Sequence, residues 1–188
     1  SNNYIYGKQP FSVVGNDNVG VAKTALYYST DPEAPLESWT LIDEHNGSSY
    51  SQNIDTTVMP NGVVYVVAKI YDAVGNFTYS PKQRYMCDNQ GPEQVKNVKC
   101  IAVDGTTATL SWSDVSDDDI SYFVVECKQS DGVWKSVSRT STNLGVNLSG
   151  LTPEHDYVYR VIGYDKRSNR GTPSEEITVT TLKDTICP

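Results

Sequence analysis

Hydrophobic residues in the second half of this chain recur at alternate positions in short runs, the pattern of strands that bury one face. Val98, Cys100 and Ala102 form a first run, Leu110 and Trp112 mark a second, and Phe123, Val125 and Cys127 a third. After a turn at Ser130-Asp-Gly132, a fourth carries Val133, Trp134 and Val137, and Leu144, Val146 and Leu148 make a fifth. The next run sets Tyr157, Tyr159, Val161 and Gly163 on one face, and residues 176–181 close the set. Seven short strands with turns about every ten residues predict a two-sheet sandwich.

The first half repeats the pattern. Phe11 with Val13, and Leu26 with Tyr28, read as inward faces. Val64, Val66, Ala68 and Ile70 stand 93 positions before Tyr157, Tyr159, Val161 and Gly163. Pro60, Tyr71, Asp72 and Asn76 recur at the same offset as Pro153, Tyr164, Asp165 and Asn169. Self-similarity at this period, without helical periodicity between the copies, predicts an all-β chain of two consecutive small domains, residues 1–91 and 92–188. Each is large enough to fold alone, with little to spare.

Composition narrows the partners. A net charge of −8 repels phosphate backbones and anionic membrane surfaces. Nucleic acid is therefore excluded as a partner, and so is membrane insertion, since no stretch approaches the ~20 apolar residues of a span. No signal-peptide pattern opens the chain, so the sequence reads as a piece of a longer protein. Thirteen tyrosines, nine prolines and thirteen glycines suit strands joined by tight turns.

Trp112, Leu151-x-Pro153-x-x-x-Tyr157 and the segment from Tyr159 to Asn169 together resemble a fibronectin type III domain. The resemblance implies that Tyr157 is a tyrosine corner, its ring in the core and its hydroxyl bonded to the preceding loop, and that Trp112 is core rather than a ligand platform. The loop Asp165-Lys-Arg-Ser-Asn-Arg-Gly171 lacks an Arg-Gly-Asp tripeptide, so integrin-type recognition has no support. Residues 4–91 are similar to bacterial immunoglobulin-like domains at Asp17-Asn-Val-Gly-Val21, Ile54-Asp-Thr-Thr57, Pro60-Asn-Gly62 and Tyr71-Asp-Ala-Val-Gly-Asn76. The fold expected is two consecutive immunoglobulin-like β-sandwiches. Val64 replaces the corner tyrosine in the first, and Tyr65 has the wrong parity to substitute, so packing alone is expected to hold that corner.

The repeated Asp and Asn suit turns whose short polar side chains satisfy local backbone donors. Calcium ligation is the competing reading, with Asp88, Asp117, Asp118, Asp119 and Asp165 as candidates; a solvated loop is the commoner meaning of the acidic run 114–119. Carbohydrate platforms would need exposed rings, for which Trp39, Tyr50 and Trp134 are candidates, with Tyr4 and Tyr6 beside them. Cys87, Cys100, Cys127 and Cys187 show no zinc spacing. Cys100 and Cys127 belong to opposite sheets of such a sandwich and should stay thiols, and Cys87 and Cys187 end different modules. His45, in a polar turn, and His155, in the corner loop, have no nucleophile in a recognisable motif, and there is no phosphate loop.

These readings give no enzyme and no cofactor other than possible calcium. They describe a monomeric extracellular spacer or interaction module of a bacterial surface protein, adhesin or polysaccharide-degrading enzyme, secreted or at the cell surface. Its partners are the neighbouring domains of the same polypeptide, with polysaccharide or a host surface protein as possible ligands. Carbohydrate binding is the alternative function.

Overall fold

The computed structural model describes residues 3–14, 20–47, 49–113, 115 and 118–184. The chain divides into two compact units, Ser1–Asn89 and Gln90–Pro188. Among the described residues no helix is long and apolar enough to cross a membrane.

Unit 1 contains β1 (Tyr4–Ile5), β2 (Lys8–Val14), β3 (Val21–Ser29), β4 (Thr40–Asn46), β5 (Ser49–Asp55), β6 (Gly62–Asp72), β7 (Phe77–Tyr79) and β8 (Gln83–Cys87). One sheet runs β1-β8-β6-β3-β4 with β7 also on β6, and β2 pairs with β5 in the other. The expected inward residues Phe11, Leu26, Val64, Val66 and Ala68 form the core with Tyr50, Ile54 and Met59; Val13, Tyr28 and Ile70 pack at its margin. Asp17, Asn18 and Val19 lie outside the described residues.

Two expectations for this unit need correction. His45 belongs to strand β4 rather than to a turn: it pairs with Thr24, and the chain turns only after Asn46. The corner before β6 is not held by packing alone. The Tyr28 hydroxyl, entering from β3, donates to the Val58 carbonyl at 3.3 Å. Parity along β6 could not reveal a tether supplied by another strand.

Unit 2 contains β9 (Lys99–Val103), β10 (Thr107–Ser111), β11 (Ile120–Lys128), β12 (Trp134–Thr140), β13 (Gly145–Ser149), β14 (Asp156–Asp165) and β15 (Ile177–Thr180). They form the sheets β13-β10-β9 and β12-β11-β14-β15. Leu110, Trp112, Phe123, Val125, Tyr159 and Val161 meet between them. The Tyr157 ring packs against this core, and its hydroxyl accepts the Thr152 N–H at 2.9 Å, closing the corner as expected. Val133 and Leu144 lie just before β12 and β13 and are exposed, so those two strands start one residue later than expected, and Ala102 breaks the alternation within a strand. A bulge sets Leu110 opposite Cys100 but Thr109 opposite Ala102, so the strand changes parity; Val103 turns inward and Ala102 is exposed.

The units differ in their first strand. β1 joins β8 in parallel, whereas β9 joins β10 antiparallel, so the entering chain completes opposite layers of the two sandwiches.

Candidate functional site

The turn after the repeated strand is built the same way in both units. In unit 1, Asp72 Oδ1 accepts the N–H groups of Val74 at 2.9 Å and Asn76 at 2.8 Å, and Oδ2 accepts Asn76 Nδ2 at 2.8 Å. In unit 2, Asp165 Oδ1 accepts the N–H groups of Arg167 and Asn169, each at 2.8 Å, and Oδ2 accepts Asn169 Nδ2 at 2.8 Å. Such a carboxylate serves as an internal acceptor for a turn that has lost its ladder partners. Asp165 is 2% exposed, so its bonds are sheltered from water. The Asp72 carboxyl lies below the ordinary aspartate value: slight burial raises it, but the Asn76 side chain and the N–H groups of Val74, Asn76 and Gly75 outweigh that.

A second repeated device was hidden from the sequence. Ser80 Oγ accepts the Ala68 N–H at 2.9 Å, while the Ser80 N–H donates to the Ala68 carbonyl at 2.8 Å. Ser174 makes the same pair with Val161, both bonds at 2.9 Å. Ala68 and Val161 keep the offset of 93, but the serines stand 94 apart (174−80), so a fixed-offset comparison misses them.

Within unit 2 the carboxylates of two calcium candidates, Asp119 and Asp165, already hold partners. Asp119 Oδ2 accepts Arg167 Nη1 at 2.9 Å, and the Asp118 and Asp119 carbonyls accept the Lys166 side chain and N–H. The Asp88 N–H donates to the Ile5 carbonyl at 3.0 Å in unit 1. Asp117 lies outside the described residues. In unit 2 a cation would compete with the Arg167 guanidinium and with the three bonds on Asp165.

The carbohydrate candidates are not gathered into a platform. Tyr50 is 1% exposed, a core ring whose hydroxyl donates to Asp43 Oδ2 at 2.7 Å; burial and that carboxylate raise its pKa. Trp39 is 5% exposed, with its indole N–H on the Ala34 carbonyl. Tyr50 fills the core of unit 1, and Trp39 is buried with the Lys82 ammonium 5.6 Å from its ring centroid, so both are withdrawn from ligands. Trp134 belongs to unit 2 and is half-buried, with the Arg160 guanidinium 4.0 Å and the Lys128 ammonium 5.4 Å from its ring centroid. Tyr4 and Tyr6 are exposed, on and just after β1.

The outer face of the β12-β11-β14-β15 sheet continues from Trp134. Arg160 reaches Glu126 at 2.6 Å, and Arg170 shares the same carboxylate at 3.3 Å. Arg139 stacks 3.5 Å from the Tyr122 centroid, and Tyr122 lies parallel to Tyr164, with centroids 4.8 Å apart. Ile162 points to this face yet is fully buried. These interleaved groups form a closed layer whose cations already have partners.

The remaining chemistry is sparse. Cys87, Cys100 and Cys127 are free thiols, and burial raises those of Cys87 and Cys127, which disfavours the reactive thiolate. Cys187 lies outside the described residues. His155 packs edge-on to Tyr157, and His45 lies edge-on to Tyr50. A lateral groove of about 320 Å³ between β12 and β13 has Cys127, Leu148, Tyr157 and Tyr159 in its lining.

The segment joining the units is anchored on each side. The Asn89 N–H donates to Asn61 Oδ1 at 2.7 Å, its Oδ1 accepts the Gly7 N–H at 2.7 Å, and its Nδ2 donates to the Thr56 carbonyl at 3.0 Å. In unit 2, Pro92 is buried and its carbonyl accepts the Thr172 N–H at 3.3 Å. The backbone contact is so close that a Cβ on Gly91 would fall 2.3 Å from the Arg170 carbonyl, and one on Gly171 would fall 2.6 Å from the Pro92 oxygen.

With this architecture in view, the family model of the fibronectin type III domain matches residues 93–180. Residues 93–180 of unit 2 thus match the fibronectin type III domain, a class whose members serve as spacer or interaction modules and are generally non-catalytic. Over 97% of its length the chain is similar to the crystal structure of chicken CNTN1 FN1-FN3 domains, with TM-score 0.56, 14% identity and 69% of that chain covered. It is likewise similar to domains A168-A170 from titin, with TM-score 0.56 and 17% identity, covering 97% of this chain and 62% of that one. At these identities the likeness concerns the fold alone. No curated protein matches the sequence.

Proposed function

We propose that this chain is a pair of non-catalytic spacer modules from a larger secreted or cell-surface bacterial protein, such as an adhesin or polysaccharide-degrading enzyme, and that it holds a working domain at a distance. The observation that carries this reading is the anchoring of the joining segment. Three hydrogen bonds fix Asn89 to unit 1, and backbone packing fixes Gly91 and Pro92 to unit 2. Only Gln90 separates the two anchored stretches. A spacer transmits position only if its hinge has few soft dihedrals, and each residue contributes two.

NMR relaxation of the full chain tests the reading. The expected result is one rotational correlation time shared by both units, falling towards that of a single module when a Gly-Ser tetrapeptide is inserted after Gln90. Two unequal correlation times in the uninserted chain would overturn it.

A further inference from the structure

The outer face of β3, β6 and β7 in unit 1 differs from the closed layer of unit 2. Strand pairing and alternation place Tyr27, Tyr65, Tyr71, Phe77 and Tyr79 on this face. The Lys69 ammonium lies 3.8 Å from the Phe77 ring centroid, 5.1 Å from Tyr71 and 5.4 Å from Tyr79. Tyr71 and Phe77 are tilted by 54°, and Phe77 and Tyr79 by 77°, so the rings gather around the cation instead of lying flat. Beneath them Ala25 and Val67, of the same outward parity, are fully buried, while Phe77 keeps 53% of its surface exposed.

Lys23, 4.7 Å from the Tyr71 centroid, is matched by Glu44 at 3.2 Å. Among the described residues no carboxylate lies within ion-pair distance of Lys69, although the chain as a whole carries −8. Aromatic enrichment with few carboxylates is the composition of protein interface cores, and here an exposed Phe77 shares its face with the half-buried Tyr27, Tyr65, Tyr71 and Tyr79.

We propose that this face docks an acidic segment of a partner protein, with a carboxylate on Lys69 and an apolar side chain against Phe77. The ammonium, which lies beside the Tyr71 and Tyr79 hydroxyls and pairs with no carboxylate among the described residues, supplies the charge complementarity. The tilted rings favour a peptide over a polysaccharide, because they offer no flat surface for a pyranose. This contact is additional to the spacer role and does not depend on it.

The test titrates the full isotope-labelled chain with a short alternating Glu-Leu peptide, a Lys-Leu control and polygalacturonate. The expected result is Glu-Leu shifts confined to the amides of residues 23–27 and 65–79, weakened by salt, with the Lys-Leu peptide silent. Lys69→Gln and Phe77→Ala should each weaken binding by up to about five-fold, the size of one exposed ion pair, at unchanged melting temperature. Shifts elsewhere, shifts insensitive to both substitutions, or no shift at millimolar peptide would overturn the proposal. A response to polygalacturonate with the Glu-Leu peptide silent would assign the face to sugar instead. Should either substitution lower the melting temperature, the Lys-Leu control decides, since equal binding of both peptides also overturns it.

Discussion

The corner before β14 is tied by Tyr157, whose hydroxyl accepts the Thr152 N–H, whereas the corner before β6 is tied by Tyr28, whose hydroxyl donates to the Val58 carbonyl. The partner loops correspond closely, since Val58 is 93 positions before Leu151, the neighbour of Thr152. The tethering rings come from different strands, and the direction of hydrogen donation is reversed. What recurs is the mechanical requirement: a loop crossing from one sheet to the other needs a polar anchor at its apolar end, and a phenol on either neighbouring strand can reach it. By contrast, the turn after the same strand is locked identically in both units by Asp72 and Asp165. A local turn fixes its own geometry, so one residue pattern serves, while a long-range tether can be solved in more than one way.

That contrast breaks most visibly at the turns. Asp165→Ala removes three hydrogen bonds from a buried site and leaves two backbone N–H groups unsatisfied, which should cost unit 2 about 2 to 4 kcal/mol. Asp72→Ala removes the same bonds where water can replace them, so unit 1 should lose less. Denaturant unfolding of the two variants, followed by amide signals of each unit, checks the order. Equal losses would mean that burial of Asp165 adds nothing to the shared turn.

The tethers differ more subtly. Tyr157→Phe should cost unit 2 about 1 kcal/mol, because the bond is lost but the Thr152 N–H is near solvent. Tyr28→Phe should cost a few tenths of that, since its bond at 3.3 Å is near the limit of useful geometry. Thermal melting of both variants measures the pair. A larger loss for Tyr28→Phe would make it the stronger corner and reverse the comparison.

The sandwich class, the strand positions in unit 2 and the corner tyrosine were legible because each depends on short-range alternation or on a residue pattern within one loop. Ala102 failed because a bulge in the pairing with β10 changes parity, which no single strand records. His45 failed because Asp43-Glu-His-Asn-Gly47 is polar on an edge strand, where the solvated side of a sheet looks like a turn. Trp39 and Tyr50 look like available rings in the sequence because nothing around them in the chain shows that they are buried. The rings around Lys69 are legible in part: Tyr65, Lys69 and Tyr71 share the parity opposite to Val64, Val66 and Ala68, while Tyr27 and Phe77 join them only through strand pairing.

The smallest expected effect is acid sensitivity, and it sharpens the view that the Asp turns are local devices. Asp72 in unit 1 and Asp104 in unit 2 both lie below the ordinary aspartate value in the folded chain. For Asp104 the cause is the Thr106 N–H, then the Thr107 hydroxyl and N–H; for Asp72 burial is the largest single influence and raises it, but the Asn76 side chain and the turn amides together outweigh that. A folded value below the unfolded one means that, as pH falls, the unfolded chain takes up its proton first. The contribution is therefore fully present above the unfolded value of about 4 and is lost as pH falls through the folded value. Hydrogen exchange read separately in each unit between neutral and acid pH should show both weakening below that point. Asp72→Asn should flatten the slope in unit 1 while leaving that of unit 2 unchanged, because each carboxylate bonds only within its own turn. A change in the unit 2 slope on that substitution would show that the Asp72 and Asp104 turns are coupled rather than independent.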